Sequence, residues 1–130
     1  MQFLSIVALL VSGLIHLIPV TGAIGASRLF QLYGIEVVDP NLAILLQHRA
    51  LLFGILGALM LIAIPIKSLR FTAITIGFLS ASSFVCIATL VGNYNDAVHR
   101  VVIADVIVSL LLTLGFFAER RDRKIRSTGP

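Results

Sequence analysis

Charged residues are scarce in this chain of 130 amino acids. Only 12% of the residues are Asp, Glu, Lys or Arg, whereas 58% are hydrophobic and the mean hydropathy is +1.06. A soluble globular domain carries about 25% charged residues, because its surface must face water. The composition therefore excludes an ordinary soluble domain and predicts an integral membrane protein.

Cysteine is almost absent, and metal-binding patterns are missing. Cys86 is the only cysteine, which excludes an internal disulfide and a CxxC redox or zinc motif, and we expect its thiol to be a buried apolar filler. His16, His48 and His99 form neither an HExxH motif nor an i, i+4 pair, so no metal site is predicted. No cofactor is predicted, although a quinone, or a b-type haem held by two histidines, stays open.

The chain has instead four long apolar stretches, each able to cross a membrane. A hydrocarbon core of about 30 Å needs roughly 20 helical residues. These stretches must be helices, because backbone polar groups in lipid have to be hydrogen-bonded within the segment. The predicted fold is an all-α, membrane-embedded four-helix bundle forming one domain over 1–130 and ending in a basic tail over 119–130. The predicted spans are 3–22, 43–66, 72–92 and 97–118.

Lys and Arg are distributed unevenly between the two sides of the predicted membrane. One side, formed by the connection after the second span and the tail, carries Lys67, Arg70, Arg120, Arg121, Arg123, Lys124 and Arg126. The other side carries only Arg28, Arg49 and Arg100. The positive-inside rule therefore places both termini in the cytoplasm of a bacterial inner membrane. The basic rim is expected to touch membrane lipid, and nucleic-acid binding is not expected.

A short amphipathic helix is predicted in the long outer connection after the first span. Residues 27–33 place Phe30 and Tyr33 as aromatic anchors in the membrane interface, and Gly34 closes the helix. Asp39 followed by Pro40 is typical of an N-cap with proline at the first helical position. The second long helix is therefore expected to begin at Pro40.

Small and polar side chains recur at helical spacing in two of the spans. Helices in lipid pack through such seams, because no hydrophobic force drives them together there. Both stripes are expected to face the bundle interior, the first with a bend at its proline, and exposed seams leave a homodimer open. The stripes are Ser5, Ser12, His16 and Pro19 in the first span, and Thr75, Ser82, Cys86, Thr89 and Asn93 in the third.

Three polar clusters interrupt the apolar stretches on the predicted outer side. An unpaired acid near the middle of a membrane costs roughly 2.5–3.5 kcal/mol, so Asp105 needs a partner. Arg49 is the first candidate, with Arg100 and His16 behind it. A pair with Arg49 serves either as a structural clamp between the second and fourth spans or as part of a ligand site. The candidate ligand-binding residues are His16, Gln47, His48, Arg49, Asn93, Tyr94, His99, Arg100 and Asp105.

Two segments carry a resemblance to a known family. HLIPVTGAIGASRLFQLYGIEVVDPNLAILLQHRALLFGILG and VGNYNDAVHRVVIAD resemble small bacterial four-span membrane proteins that are often labelled phosphopantetheine adenylyltransferase. The HxGH element of soluble adenylyltransferases does not occur in this chain, so the resemblance assigns no functional residues. The four-helix layout is also similar to DoxX-like membrane proteins, some of which are tied to quinone-linked redox processes.

Three functions from different classes remain open. In the first, the chain binds an amphipathic small molecule, a quinone or a lipid-like ligand, in a polar pocket near the outer leaflet. Alternatively, it is a structural or assembly partner of a membrane complex, and its polar cluster only locks the bundle. In the third alternative it is a small membrane enzyme or proton-linked transporter that uses Asp105 and a histidine, since histidine titrates near neutral pH.

Overall fold

The computed structural model describes residues 2–127, with side chains described over 2–125, and every regular element in that range is a helix. Residues 128–130 of the expected basic tail lie outside the described residues. A 3₁₀ segment, Ile18–Ile24, directly extends the first α-helix. The α-helices are α1 (Gln2–Leu17), α2 (Ala26–Tyr33), α3 (Pro40–Ala63), α4 (Lys67–Val91) and α5 (Asp96–Ser127).

Four of these elements are long and apolar enough to cross a membrane, which confirms the all-α fold with four long apolar helices. α5 continues to Ser127, so the helix runs beyond residue 118, where the predicted membrane span ends. Residues 119–126 are mostly Arg, Lys and Glu, which are good helix formers, and the positive charges of Arg and Lys favour the C-terminal end of a helix. The four elements are Gln2–Ile24, Pro40–Ala63, Lys67–Val91 and Asp96–Ile125.

Prolines set several helix boundaries. α3 begins at Pro40 as predicted, with the Asp39 carboxylate accepting a hydrogen bond of 2.9 Å from the backbone N–H of Asn41. It ends at Ala63, before the end of the predicted span 43–66, because Pro65 has no N–H with which to continue the helical hydrogen bonds. Pro19 lies in the 3₁₀ segment that follows α1, so the α-helix ends just before this proline.

The helices are arranged as a four-membered ring in the order α1, α3, α4, α5. α1 packs against α3 and α5, and α4 packs against the same two helices. α3 and α5 occupy one diagonal of the ring, and within the described residues they do not contact each other. Because neighbouring helices run antiparallel, the α3–α4 connection lies at the same end as the start of α1, here called the terminal end. α2 and the α4–α5 connection lie at the opposite end, here called the cavity end.

The core is apolar and closely packed. Leu9, Met60, Ile74 and Leu112 are fully buried in its centre. α1 and α3 approach within backbone contact, since a Cβ on Gly57 would lie only 2.8 Å from the carbonyl oxygen of Gly13. A glycine is therefore required at this crossing.

The polar stripe predicted for α1 is confirmed, whereas the one predicted for α4 is wrong. Ser5, Ser12 and His16 are buried. On α4 the buried face is formed by other residues, and Cys86, expected as a buried filler, is exposed. The hydroxyls of the expected stripe need no partner helix, because each donates a hydrogen bond to a carbonyl four residues earlier in α4. These hydroxyls belong to Thr75, Ser82 and Thr89.

Arg70 connects two helices at the terminal end instead of lying in a free connection. It sits in the first turn of α4 and is buried. Its Nε donates to the carbonyl oxygens of Ala63 (3.3 Å) and Ile64 (3.1 Å), at the end of α3. Arg70 therefore satisfies carbonyls that the helix itself leaves unpaired.

Candidate functional site

A cavity of about 310 Å³ opens between α1, α2, α3 and α5 at the cavity end. Its volume lies at the lower limit for small-molecule sites, which run from about 300 Å³ upward. Most of the wall is apolar, and a few polar groups converge in it. The lining residues are Ile15, His16, Ile18, Pro19, Gln31, Leu32, Tyr33, Arg49, Phe53, Ala97, Arg100, Val101, Ala104 and Asp105.

Three aromatic rings from three helices hold the Arg49 guanidinium. Its Cζ atom lies 4.8 Å from the ring centroid of Phe84, 5.0 Å from that of Phe53 and 5.5 Å from that of Tyr33. Ring faces attract a cation through their quadrupole, but they do not replace the acceptor atoms that N–H groups need. Nη2 of Arg49 is buried and has no hydrogen-bond partner among the described residues. The side chain is therefore held in place while retaining donor capacity.

Asp105 faces the same cavity from the other end of the ring diagonal. Its side chain is only 5% exposed, and its Oδ2 atom has no hydrogen-bond partner in the described range. The charge of Arg49 acts on this carboxylate, but no hydrogen bond joins the two groups in that range. Asp105 lies nine residues after Asp96, the first residue of α5, and Arg49 lies nine residues after Pro40, the first of α3. Each charge therefore lies about 13.5 Å along its own helix from the cavity end, at 1.5 Å per residue.

His16 supplies a third buried polar group, from α1. Its Nδ1 donates to the carbonyl oxygen of Ser12 at 2.8 Å, and the ring meets that of Phe53 edge-on at 5.6 Å. With Nδ1 as the donor, the neutral ring presents Nε2 as an acceptor. The residue is 2% exposed, and Nε2 has no partner among the described residues.

Tyr33, the last residue of α2, closes the cavity. It is 5% exposed, so its predicted role as an interface anchor is wrong, whereas Phe30, three residues earlier in α2, is exposed. Burial raises the pKa of the Tyr33 phenol above 10.0; the Arg49 charge opposes this rise and the Asp105 charge adds to it. The phenol therefore stays protonated at neutral pH and can donate a hydrogen bond into the cavity.

Asn95, in the α4–α5 connection, holds α2 over the cavity. Its Nδ2 donates to the carbonyl oxygen of Tyr33 at 2.8 Å, and its Oδ1 accepts from the backbone N–H of Val98 at 2.9 Å. The second bond caps the start of α5. Gly34, in the left-handed conformation with φ +64°, ends α2 and brings its backbone against Asn95. One amide therefore joins the cover of the cavity to the helix that carries Asp105.

The structure brings together part of the predicted site. His16, Arg49, Arg100 and Asp105 line the cavity. The other predicted residues lie outside the lining: Gln47, His48, Asn93, Tyr94 and His99. The rings of Tyr94 and His99 stack on each other at the start of α5, with their centroids 6.0 Å apart. Sequence reasoning missed Tyr33, Phe53 and Phe84. Phe53 follows Arg49 by one helical turn, a spacing that could have revealed it, whereas nothing in the sequence indicates Phe84.

Within the described residues, no group of three His, Cys, Asp or Glu side chains lies close enough together to hold a metal ion. The chemistry that the cavity offers is hydrogen bonding and charge. Arg49 and Tyr33 provide donors, and Asp105 and His16 provide acceptors.

Comparison with models of protein families, with curated proteins and with solved structures finds no match for this chain.

Proposed function

We propose that this chain is a multi-pass protein of a bacterial inner membrane that binds an amphipathic small molecule, a quinone or a lipid-like ligand, in the cavity between Arg49 and Asp105. Its resemblance to small four-span bacterial membrane proteins is part of this proposal. The outer surface of the helices supports insertion into lipid, because large apolar side chains such as Leu45, Ile55 and Leu90 are exposed along them.

One observation carries the proposed ligand site: polar side chains from three helices line one cavity, and each has a buried polar atom without a partner among the described residues. These atoms are Nη2 of Arg49, Oδ2 of Asp105 and Nε2 of His16. Buried polar groups in folded proteins are normally hydrogen-bonded, because desolvating an unpaired group is costly. A bound molecule that supplies both acceptors and donors would satisfy all three.

The walls of the cavity favour an amphipathic ligand. Ile18 lines the cavity and is 60% exposed, so the space reaches the apolar outer surface of the bundle at that point. Gln31 and Arg100 form a polar, exposed part of the rim. A polar head group can therefore occupy the interior while an apolar tail leaves past Ile18.

A structural clamp fits the geometry less well. A clamp between α3 and α5 requires the two charges to bond directly. Without that bond, nothing compensates the free-energy cost of removing each charge from water. No hydrogen bond joins Arg49 and Asp105 within the described range, and their helices do not contact each other there. The cavity between them therefore favours a ligand over a clamp.

Mass spectrometry after gentle extraction tests the proposed ligand. The unaltered protein, Asp105→Asn and the control Asp96→Asn would be purified in mild detergent and their small molecules identified. Asp96 lies on the same helix but is exposed and outside the cavity. One amphipathic compound should be enriched over bulk membrane lipid in the unaltered protein and in Asp96→Asn, and depleted in Asp105→Asn. Bulk lipid in the same proportions in all three proteins would refute the proposal.

The proposed orientation, with both termini in the cytoplasm, is supported by the excess of Lys and Arg at the terminal end. Cysteine labelling of whole cells tests it in a Cys86→Ser background. A membrane-impermeant thiol reagent should label Ser27→Cys, on the exposed face of α2, and should reach Ile125→Cys only after permeabilisation. The opposite pattern would show that the protein is inserted the other way.

A further inference from the structure

We infer that the head group bound in the cavity is a zwitterion, with an anionic phosphate on Arg49 and a primary ammonium on Asp105, as in a phosphoethanolamine lipid. This inference rests on the proposed function and specifies the chemistry of its ligand. It follows from the two opposite charges that face the cavity without bonding each other.

The Arg49 end is suited to a phosphate. A guanidinium presents its N–H groups in a planar fork that matches phosphate and carboxylate oxygens. Contacts with Phe53 and Phe84 hold the group but supply no such oxygens. Tyr33 lies beside Arg49 and remains protonated at neutral pH because burial raises its pKa, so its phenol is a second donor for the same anion.

The Asp105 end is suited to an ammonium. An ionised carboxylate only accepts hydrogen bonds, and a primary ammonium has three N–H donors and no acceptor. Oδ2 of Asp105 is buried and unpartnered in the described range. His16, on the neighbouring helix α1, presents Nε2 as a further acceptor in the same cavity. A fully methylated ammonium would lack these N–H donors.

The ring arrangement sets the distance that the head group must bridge. Neighbouring packed helices lie 8–10 Å apart, so the axes of diagonal helices in a square ring would lie about 11–14 Å apart. Because α1 and α4 contact each other across the other diagonal, the axes of α3 and α5 lie at least that far apart. Arg49 and Asp105 line the cavity in this gap from α3 and α5. The remaining space suits a short head group that carries its two charges a few bonds apart.

Charge matching separates this ligand from the other amphipathic candidates. An anionic head group with no cation would pair with Arg49 but repel Asp105 and leave it unpaired. A quinone is neutral, so it would form hydrogen bonds but neutralise neither buried charge. Only a zwitterion compensates both charges at once. The cavity of about 310 Å³ holds such a head group but not its acyl chains, which would leave past the exposed side chain of Ile18.

A head-group series on the unaltered protein tests this inference. Delipidated protein would be mixed with phosphatidylethanolamine, phosphatidylcholine and phosphatidylglycerol carrying identical acyl chains, and with a ubiquinone, and retention would be measured by native mass spectrometry. Phosphatidylethanolamine should be retained about tenfold more than each of the others, which corresponds to about 1.4 kcal/mol. In Asp105→Asn this preference should fall towards parity, whereas Asp96→Asn should keep it.

The outcomes separate failure of the head group from failure of the site. If phosphatidylglycerol or the quinone binds as well as phosphatidylethanolamine in an Asp105-dependent way, the zwitterion is wrong and the amphipathic site stands. If phosphatidylcholine binds equally well, the primary ammonium is wrong and the zwitterion stands. If the protein retains none of these compounds, both the zwitterion and the amphipathic site are wrong. Free O-phosphoethanolamine distinguishes the source of the zwitterion. Binding of the free compound as strong as that of the lipid would keep the zwitterion but refute an amphipathic ligand.

Discussion

Arg49 and Asp105 face one cavity from α3 and α5, the diagonal pair of helices, and no hydrogen bond joins them in the described part of the chain. Opposite charges that line the same buried cavity would normally form an ion pair. Here the helix arrangement keeps them apart, and aromatic rings rather than a carboxylate hold the guanidinium. This separation makes the pair suitable for binding a third group between them.

Substitution of Gly57 tests the close crossing of α1 and α3. Gly57→Ala places a Cβ 2.8 Å from the backbone oxygen of Gly13, which cannot rotate away. Overpacking of this kind costs about 1–3 kcal/mol of unfolding free energy, which outweighs the gain of up to about 1 kcal/mol from helix propensity. Thermal unfolding in detergent should show the loss.

Gly25→Ala is the matched control for that substitution. Among the described residues, no atom other than those of Gly25 and its chain neighbours lies within 4 Å of a Cβ built on Gly25. The change in unfolding free energy should stay within about 0.5 kcal/mol. An equal change in unfolding free energy in Gly57→Ala and Gly25→Ala would contradict the close crossing of α1 and α3.

Titration of Tyr33 tests its burial over the cavity. The chain has two tyrosines, so Tyr94→Phe leaves Tyr33 as the only phenol. Ultraviolet absorbance of the folded variant should give a midpoint above 10.0, because burial raises the pKa. The unfolded variant should titrate near the ordinary tyrosine value of about 10. A midpoint at or below 10.0 in the folded protein would show that the phenol is not buried.

The same raised pKa has a consequence for stability. The unfolded chain releases the Tyr33 proton at a lower pH than the folded chain does. Stability from this group is therefore complete below about pH 10 and is lost as the pH rises through the higher folded pKa. Tyr33→Phe should lack this alkaline loss. An equal loss in Tyr33→Phe would assign it to other groups.

Two substitutions of Asn95 separate its two hydrogen bonds. Asn95→Asp keeps an oxygen that can accept from Val98 and cap α5, but it loses the amide that donates to Tyr33. Asn95→Ala loses both bonds, and loss of an N-cap costs about 0.5–2 kcal/mol. Hydrogen exchange should therefore rise in α2 in both variants, and at the start of α5 only in Asn95→Ala. Unchanged exchange in α2 would contradict the role of Asn95 in holding it.

Much of the fold could be predicted from the sequence because the signals are local. Asp39 and Pro40 determine the start of α3 through capping and backbone geometry that involve only neighbouring residues. The long apolar stretches and the short helix closed by Gly34 are local signals as well. Each of these features depends little on the rest of the chain.

The inward faces and the shape of the site depend on tertiary packing, and the sequence did not reveal them fully. Hydroxyls such as that of Thr75 bond within their own helix, so polarity does not mark the buried face of α4. Tyr33 turns inward because α2 is held by Asn95, which is distant in sequence. The candidate charges of Arg49 and Asp105 could be identified, but their placement on diagonal helices depends on the order of the ring.

A double-mutant cycle with Arg49→Gln and Asp105→Asn tests the central claim most directly. It should be measured as the unfolding free energy of delipidated protein, where no ligand can join the two groups. We expect a coupling energy below about 1 kcal/mol, towards the lower end of the range for neighbouring residues, because no hydrogen bond joins the two groups in the described structure. A coupling energy near 3 kcal/mol, typical of directly bonded neighbours, would show that the pair is a structural clamp and would contradict the account.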